Sequence, residues 1–405
     1  MKSRLTETAP LLPLAVCLMT GIVAGRYLML PFSWWYLLLG MLVVALLLWR
    51  MAQLQSLAIA LCFVLLGGAL AERQHWEQDF STTKEEVYSE ETSRLERSKI
   101  FFLQKRDRLL QRLSDGGMEG DAYAVVAAMV LGDKSALTKE LKEAYSVTGA
   151  SHVLALSGLH LGIIYMLLSL LVVGRRWKLF SQILVILSIW AFVFLVGMSV
   201  SVLRSAIMLS VYALLSLGNR QRMSVNTLAF TAMVMLVASP RSLFDVGFQM
   251  SFMAVFSILI WLPMFDRIFK PHYLQDHRLV KWLWGLMSVS LAAQIGVAPL
   301  IAYYFGRFST YFLLTNLIVV PGATLILWLA LVVLFVPSLA YLLLYMVNGL
   351  NHVLSGLAAW PGASIDGLHP TLLQVSMMYV IILSFWLLIR RTSPAKEWKP
   401  SKVRW

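Results

Sequence analysis

The chain has 405 residues, 59% of them hydrophobic and only 14% charged, with a formal net charge of +13. Soluble domains carry about 25% charged and about 45–50% apolar residues, so a soluble fold of this composition would lack the polar surface to cover itself. Disorder, a secreted disulfide scaffold and a soluble nucleic-acid-binding domain are excluded, and the chain reads as an all-α polytopic membrane protein with about 10–12 transmembrane helices.

Three apolar runs come first, at about 9–25, 34–49 and 54–71, and form an N-terminal three-helix membrane region, residues 1–71. Cys17 and Cys62 both lie inside these runs, so no structural disulfide is expected. The first run has no convincing A-x-A cleavage site and reads as an uncleaved span. A charged segment follows. Residues 72–121 hold 9 Lys+Arg against 12 Asp+Glu, and Ile100, Leu103, Leu110 and Leu113 among those charges predict a surface or interfacial helix. Asp121 to Tyr145 reads as a helix, a break at Gly132-Asp133, then an amphipathic helix. Residues 72–150 are thus expected as a short, charged, helical extracytoplasmic segment.

Nine further apolar runs occupy about 152–173, 179–197, 199–217, 224–238, 246–263, 282–303, 311–336, 338–359 and 372–389. They define a helical membrane domain over 151–389, ahead of a basic tail, 390–405. With twelve crossings and the N-terminus inside, 18 of the 25 positive charges outside 72–121 fall in cytoplasmic segments. Short outer loops carry only Arg26, Arg241 and Arg307. This positive-inside bias accounts for most of the basicity without any ligand, and it places both termini in the cytoplasm.

Four places put polar groups where lipid tolerates them poorly. His152, Ser157, Gly158 and His160 open the fourth run. Arg204, in Ser201-Val-Leu-Arg204-Ser205, sits within an apolar stretch, where an arginine costs roughly 2.5–3.5 kcal/mol on insertion scales. Asp245 and Gln249 are four apart and share a face near a helix N-terminus. Gln294 precedes Pro299 and Asn316 precedes Pro321, an arrangement that predicts broken helices. Irregular backbone at membrane depth persists only inside protein or beside a wet cavity. Together these residues mark a candidate translocation path. Hydrogen bonds that merely hold a bundle together are the competing account.

Catalytic motifs fail one by one. Ala155-Leu-Ser157-Gly158 lacks the leading glycine of an intramembrane serine protease, and His160 comes from the same helix instead of a facing one. There is no H-E-x-x-H and no H-x-H, so no metal site is expected. Gly132-Asp133-Lys134-Ser135 does not complete a phosphate-binding loop. The sequence therefore predicts no enzyme activity and no cofactor.

Ser151-His152-Val-Leu-Ala-Leu-Ser157-Gly158-Leu-His160-Leu, then Ser201-Val-Leu-Arg204-Ser205, then Gly247-Phe-Gln249-Met-Ser251-Phe, resemble in order and spacing the competence domain of ComEC-type DNA-uptake channels. The resemblance extends over about residues 9–340. It implies an inner-membrane, multi-pass channel core that passes single-stranded DNA in natural transformation. The partners it implies are the lipid bilayer, a DNA receptor, a cytoplasmic helicase-type motor and a separate nuclease, and it admits a homo-oligomer. Against that family the chain reads as a short form, without the metallo-β-lactamase-like domain or a complete oligonucleotide-binding barrel. A small-solute or ion transporter on a related scaffold, or an inactive partner-binding paralogue, are the alternative readings.

Overall fold

The computed structural model describes residues 9–28, 33–84, 94–171, 178–217, 224–269 and 271–392. The basic tail beyond 392 and much of the charged stretch near 85–93 lie outside the described residues. The fold is helical, as the composition demands. Contacts divide the chain into two units, one of residues 1–96 with 223–252 and one of residues 97–222 with 253–405.

In the first unit, α1 (Leu11–Tyr27), α2 (Trp34–Leu47) and α3 (Ala52–Lys84) correspond to the first three apolar runs. In lipid, apolar burial drives little helix association, and close backbone packing does more. That packing is visible between α1 and α3. A methyl at Gly21 would stand 1.9 Å from the Val64 carbonyl oxygen, and one at Gly25 would stand 2.7 Å from Gly68 Cα. Gly21 and Gly25 form a small-xxx-small pair that the sequence reading passed over. The Glu72 carboxylate accepts from Ser33 Oγ at 2.9 Å and from the Trp34 N–H at 3.0 Å, satisfying the start of α2. Asn226, on α11 (Val225–Ala238), accepts from the Leu11 N–H at 3.1 Å.

The second unit is built on a buried stretch that the sequence placed in a charged outer segment. Gly120–Val126 begins helix α5, which widens into a π turn over Ala127–Leu131 and stops at Gly132. Ala122 and Ala124 to Leu131 are all buried. They share a core with Val319, Ile326 and Ala330 of α15 (Phe312–Val333) and with Leu343, Val347 and Leu354 of α16 (Ala340–Ala358). The expected break and amphipathic helix follow. Asp133 accepts from the Ser135 N–H at 3.0 Å, and Thr138 caps α6 (Lys139–Val147) through the Leu141 N–H. Ahead of them, α4 (Arg94–Asp115) buries Leu110 and Leu113 and exposes Ile100, as an amphipathic surface helix should.

The fourth apolar run, 152–173, is not one helix. It is a short turn, α7 (Ser151–Leu154), an extended Ala155, and then α8 (Gly158–Leu171). The next runs match α9 (Lys178–Leu195) and α10 (Val200–Leu217). Between them Gly197 and Met198 both adopt positive φ, +80° and +56°, an unusual conformation for methionine. The run at 246–263 becomes α12 (Val246–Phe265), followed by the short α13 (Pro271–Asp276), α14 (Arg278–Phe305) and, at the end, α17 (Leu372–Thr392). The prolines do not act as expected. Pro299 and Pro321 lie within continuous α14 and α15, since a missing N–H is tolerated in a span when neighbours satisfy the freed carbonyl. Among the described residues, five helices are long and apolar enough to cross a bilayer, namely α3, α12, α14, α15 and α17. A two-stranded antiparallel pairing of β1 (Arg307–Ser309) with β2 (Ser364–Asp366) is the one addition to the all-α reading among the described residues.

Candidate functional site: a polar corner at the start of the fourth apolar run

Four residues of the corner follow directly from the end of α6. Gly149 has φ +80°, the left-handed conformation in which glycine ends a helix without steric cost. The Ala150 N–H returns to the Tyr145 carbonyl at 2.7 Å. The Gly149 carbonyl oxygen in turn lies 3.0 Å from His152 Nδ1. The His152 residue remains exposed, so it marks the corner without entering the core.

Ser157 and His160 come together, as the sequence placed them. Ser157 precedes α8 by one residue and His160 is its third, which is the spacing of a capping box. Here an imidazole does the work usually given to Glu or Gln. The Ser157 N–H donates to His160 Nδ1 at 3.3 Å, and Ser157 Oγ stands 3.1 Å from the same nitrogen. A backbone N–H can only donate, so Nδ1 carries no proton and a neutral ring must hold its hydrogen on Nε2. His160 is 1% exposed, and its Nε2 meets no hydrogen-bond partner among the described residues. The cap consumes one ring nitrogen and leaves the other aimed into the protein.

Gly158 brings this corner against α10. A methyl there would stand 2.9 Å from Ser205 Oγ, and Ser205 follows Arg204 directly. Arg204 is 3% exposed, on a helix whose Val202 and Ala206 are fully buried. The α9–α10 pair is fixed further along by Trp190 Nε1, which donates to Ser210 Oγ at 3.1 Å. Ser157, Gly158, His160 and Arg204 thus belong to one neighbourhood of the second unit.

The remaining candidates lie on other elements. Asp245 and Gln249 belong to the first unit. Asp245 Oδ1 caps α12 by accepting from the Phe248 N–H at 2.7 Å, and Gln249 Nε2 donates to the Leu243 carbonyl at 3.0 Å. Gln294 on α14 and Asn316 on α15 are half-buried. No hydrogen bond connects either to the Ser157–His160 pair among the described residues. Asn316 Oδ1 is buried and finds no donor there.

Sequence reasoning missed the role of Arg307. It stands in β1 opposite Asp366 of β2, pairs with Glu143 of α6 at 2.8 Å and with Asp366, and donates to Ser146 Oγ at 3.1 Å. Its hydrogen bonds to Glu143, then to Asp366, push the guanidinium pKa further up. Thr310 adds bonds to the Gly362 and Ala363 carbonyls. One arginine therefore ties α6, which carries the Gly149 corner, to both strands. The only signal in the sequence was its rarity as an outer-loop cation.

Fold and site together define a polytopic helical membrane protein whose spans enclose ionisable side chains beside a broken helix. The chain belongs to the competence protein family, whose pattern matches residues 129–392, a range that contains every candidate residue above. It is similar to ComE operon protein 3 of Bacillus subtilis (strain 168), 30% identical over 257 residues, which make up 62% of this chain and 30% of that protein. It is also similar to an uncharacterized protein of Aquifex aeolicus (strain VF5), 30% identical over 201 residues, 49% of this chain and 45% of that one. A third relative is the uncharacterized protein YcaI of Escherichia coli (strain K12), 24% identical over 212 residues, 50% of this chain and 28% of that one. The matched regions thus span between 28% and 45% of these relatives' lengths. No solved structure matches the chain.

Proposed function

We propose that the chain is the membrane core of a DNA-uptake channel that passes single-stranded DNA across the inner membrane during natural transformation. The observation that carries this reading is the burial of Arg204 and His160, at 3% and 1% exposure, inside apolar helices of a competence-family chain. An arginine at depth is expensive and is retained where it meets a charged or strongly polar species. A guanidinium offers phosphate a planar, permanently charged fork, and His160 Nε2–H offers a neutral donor. With both side chains buried, the described arrangement is a closed one, and conduction requires the α8–α10 contact at Gly158 and Ser205 to part.

The chain does no bond-breaking in this proposal. Ser157 and His160 are within hydrogen-bond distance, but among the described residues no third group orients the ring, and Nδ1 is shared with the Ser157 backbone. The pair therefore reads as a helix cap and not as an activated nucleophile. Strand separation, strand degradation and the driving force fall to partners: a DNA receptor, a cytoplasmic helicase-type motor and a separate nuclease. The positive-inside charge pattern supports cytoplasmic termini.

The test is import of labelled DNA, scored for internalised single strands separately from surface-bound duplex. Arg204→Ala is expected to lower import at least tenfold at unchanged membrane abundance, with surface binding intact. Unchanged import at equal abundance overturns the assignment.

A further inference from the structure

The second unit carries a recess that the DNA-uptake reading does not use. It has a volume of about 580 Å³ and lies among α12, α14 and α17. Two hydrogen bonds set its shape. Tyr379 OH donates to the Gly296 carbonyl at 2.8 Å and joins α17 to α14. Ser257 Oγ donates to the Ala292 carbonyl at 2.6 Å and joins α12 to α14. Trp261, Leu291, Ile295 and Phe385 line the gap, with Trp261 and Phe385 stacked at 6.2 Å between centroids. From Ile381 to Ile389 the α17 wall runs eight residues, about 12 Å at helical rise. That is most of one leaflet of a hydrocarbon core about 30 Å thick.

The walls are nearly all apolar, and the mouth is cationic. Arg267 lines the recess beside Ile268, is exposed, and has no ion pair among the described residues. Its neighbour Asp266 is the acidic group of that turn. Arg390 follows the lining residue Ile389 and stacks its guanidinium over Trp386 at 5.1 Å; Arg391 follows it. Left empty, such a gap between spans would forfeit dispersion contacts on every wall. The α17 helix is hardly buried in the chain, so lipid has direct access from the side. Basic recesses between transmembrane helices take anionic lipid headgroups.

We propose that this recess binds one acyl chain of an anionic glycerophospholipid, with the phosphate headgroup held at Arg267 and Arg390. The proposal stands apart from the DNA path, since none of its residues belongs to the Ser157–Arg204 neighbourhood. The probe is the purified full chain in mild detergent, equilibrated with an equimolar mixture of phosphatidylglycerol and phosphatidylcholine and read by native mass spectrometry. Wild type is expected to retain one phosphatidylglycerol in preference to phosphatidylcholine. Arg267→Gln should reduce that preference about fivefold. Leu291→Trp, which fills the recess, should abolish retention of the bound lipid, and Ile381→Trp on the exposed α17 provides the same block where the first variant fails to fold. Equal retention of both lipids by wild type overturns the headgroup assignment, and full retention in a correctly folded blocked variant overturns the site. Displacement of phosphatidylglycerol by glycerol phosphate alone would show headgroup binding without the acyl chain and would also overturn it.

Discussion

Replacing Gly149 by alanine should destabilise the second unit through two separable effects. Its φ of +80° costs a residue with a Cβ roughly 1–2 kcal/mol. The new methyl would also stand 3.0 Å from Ser309 Cβ and 3.2 Å from Ser309 Oγ, and overpacking of this kind costs about 1–3 kcal/mol. The expected total is about 3 kcal/mol, measured by equilibrium unfolding of the full chain in detergent micelles. Gly149→Asn keeps the Cβ but tolerates the left-handed region, so it should recover about 1 kcal/mol. Adding Ser309→Gly to Gly149→Ala removes the contact and should recover a similar amount beyond the single Ser309→Gly effect, a coupling that a double-mutant cycle reads directly. Strict additivity in that cycle would refute the steric part. Equal stability of the Ala and Asn variants would refute the backbone part. The corner also positions the carbonyl against His152, so a folded Gly149→Ala variant should displace the start of α7.

His160→Gln should leave stability close to wild type, because Gln at the third helical position still receives the Ser157 N–H, while import of labelled single strands falls; a matched loss of both would reduce His160 to a cap. Arg307→Gln should cost about 1 kcal/mol in low salt, a small figure because Arg307 is 24% exposed and its partners Glu143 and Asp366 are 60% and 55% exposed. That cost should shrink in about 1 M salt, where the Debye length is about 3 Å; a salt-independent loss would mean that packing, not charge, holds the strands to α6.

The apolar runs were legible because hydropathy over twenty residues is a local property, and α9, α10, α12, α14, α15, α16 and α17 all fall on runs read from composition. The Asp245–Gln249 helix start was legible for the same reason, since an N-cap and its first turn are adjacent in sequence. The break at Ala155 was not, because nothing in Val153-Leu-Ala-Leu156 forbids helix. It is imposed by the cap that Ser157 and His160 form downstream. The prolines misled in the opposite direction, because whether a span tolerates one depends on neighbours that no local window contains. Ala122 to Leu131 was read only as a helix within the 72–150 segment, and its burial was not foreseen, although ten uncharged residues rich in alanine suit close packing against α15 and α16. The Arg307 network joins residues as much as 164 positions apart, and no periodicity announces such a pairing.

The distinction that matters for function is between polar groups already satisfied by the fold and those left over. Asp245 Oδ1 and Gln249 Nε2 each hold a backbone group of their own helix start, and His152 is exposed with Nδ1 against a carbonyl. Each of these positions has a sufficient structural reason to be polar. His160 does not, because its capping duty uses Nδ1 alone and leaves Nε2 buried with no hydrogen-bond partner among the described residues. Burying an unpaired donor costs about 1–3 kcal/mol, and nothing in the cap offsets that cost. Arg204 is 3% exposed beside the fully buried Val202 and Ala206, where an arginine is expensive. The case for a passage across the membrane therefore rests on the buried ring of His160 and the buried guanidinium of Arg204 more than on the polar residues around them.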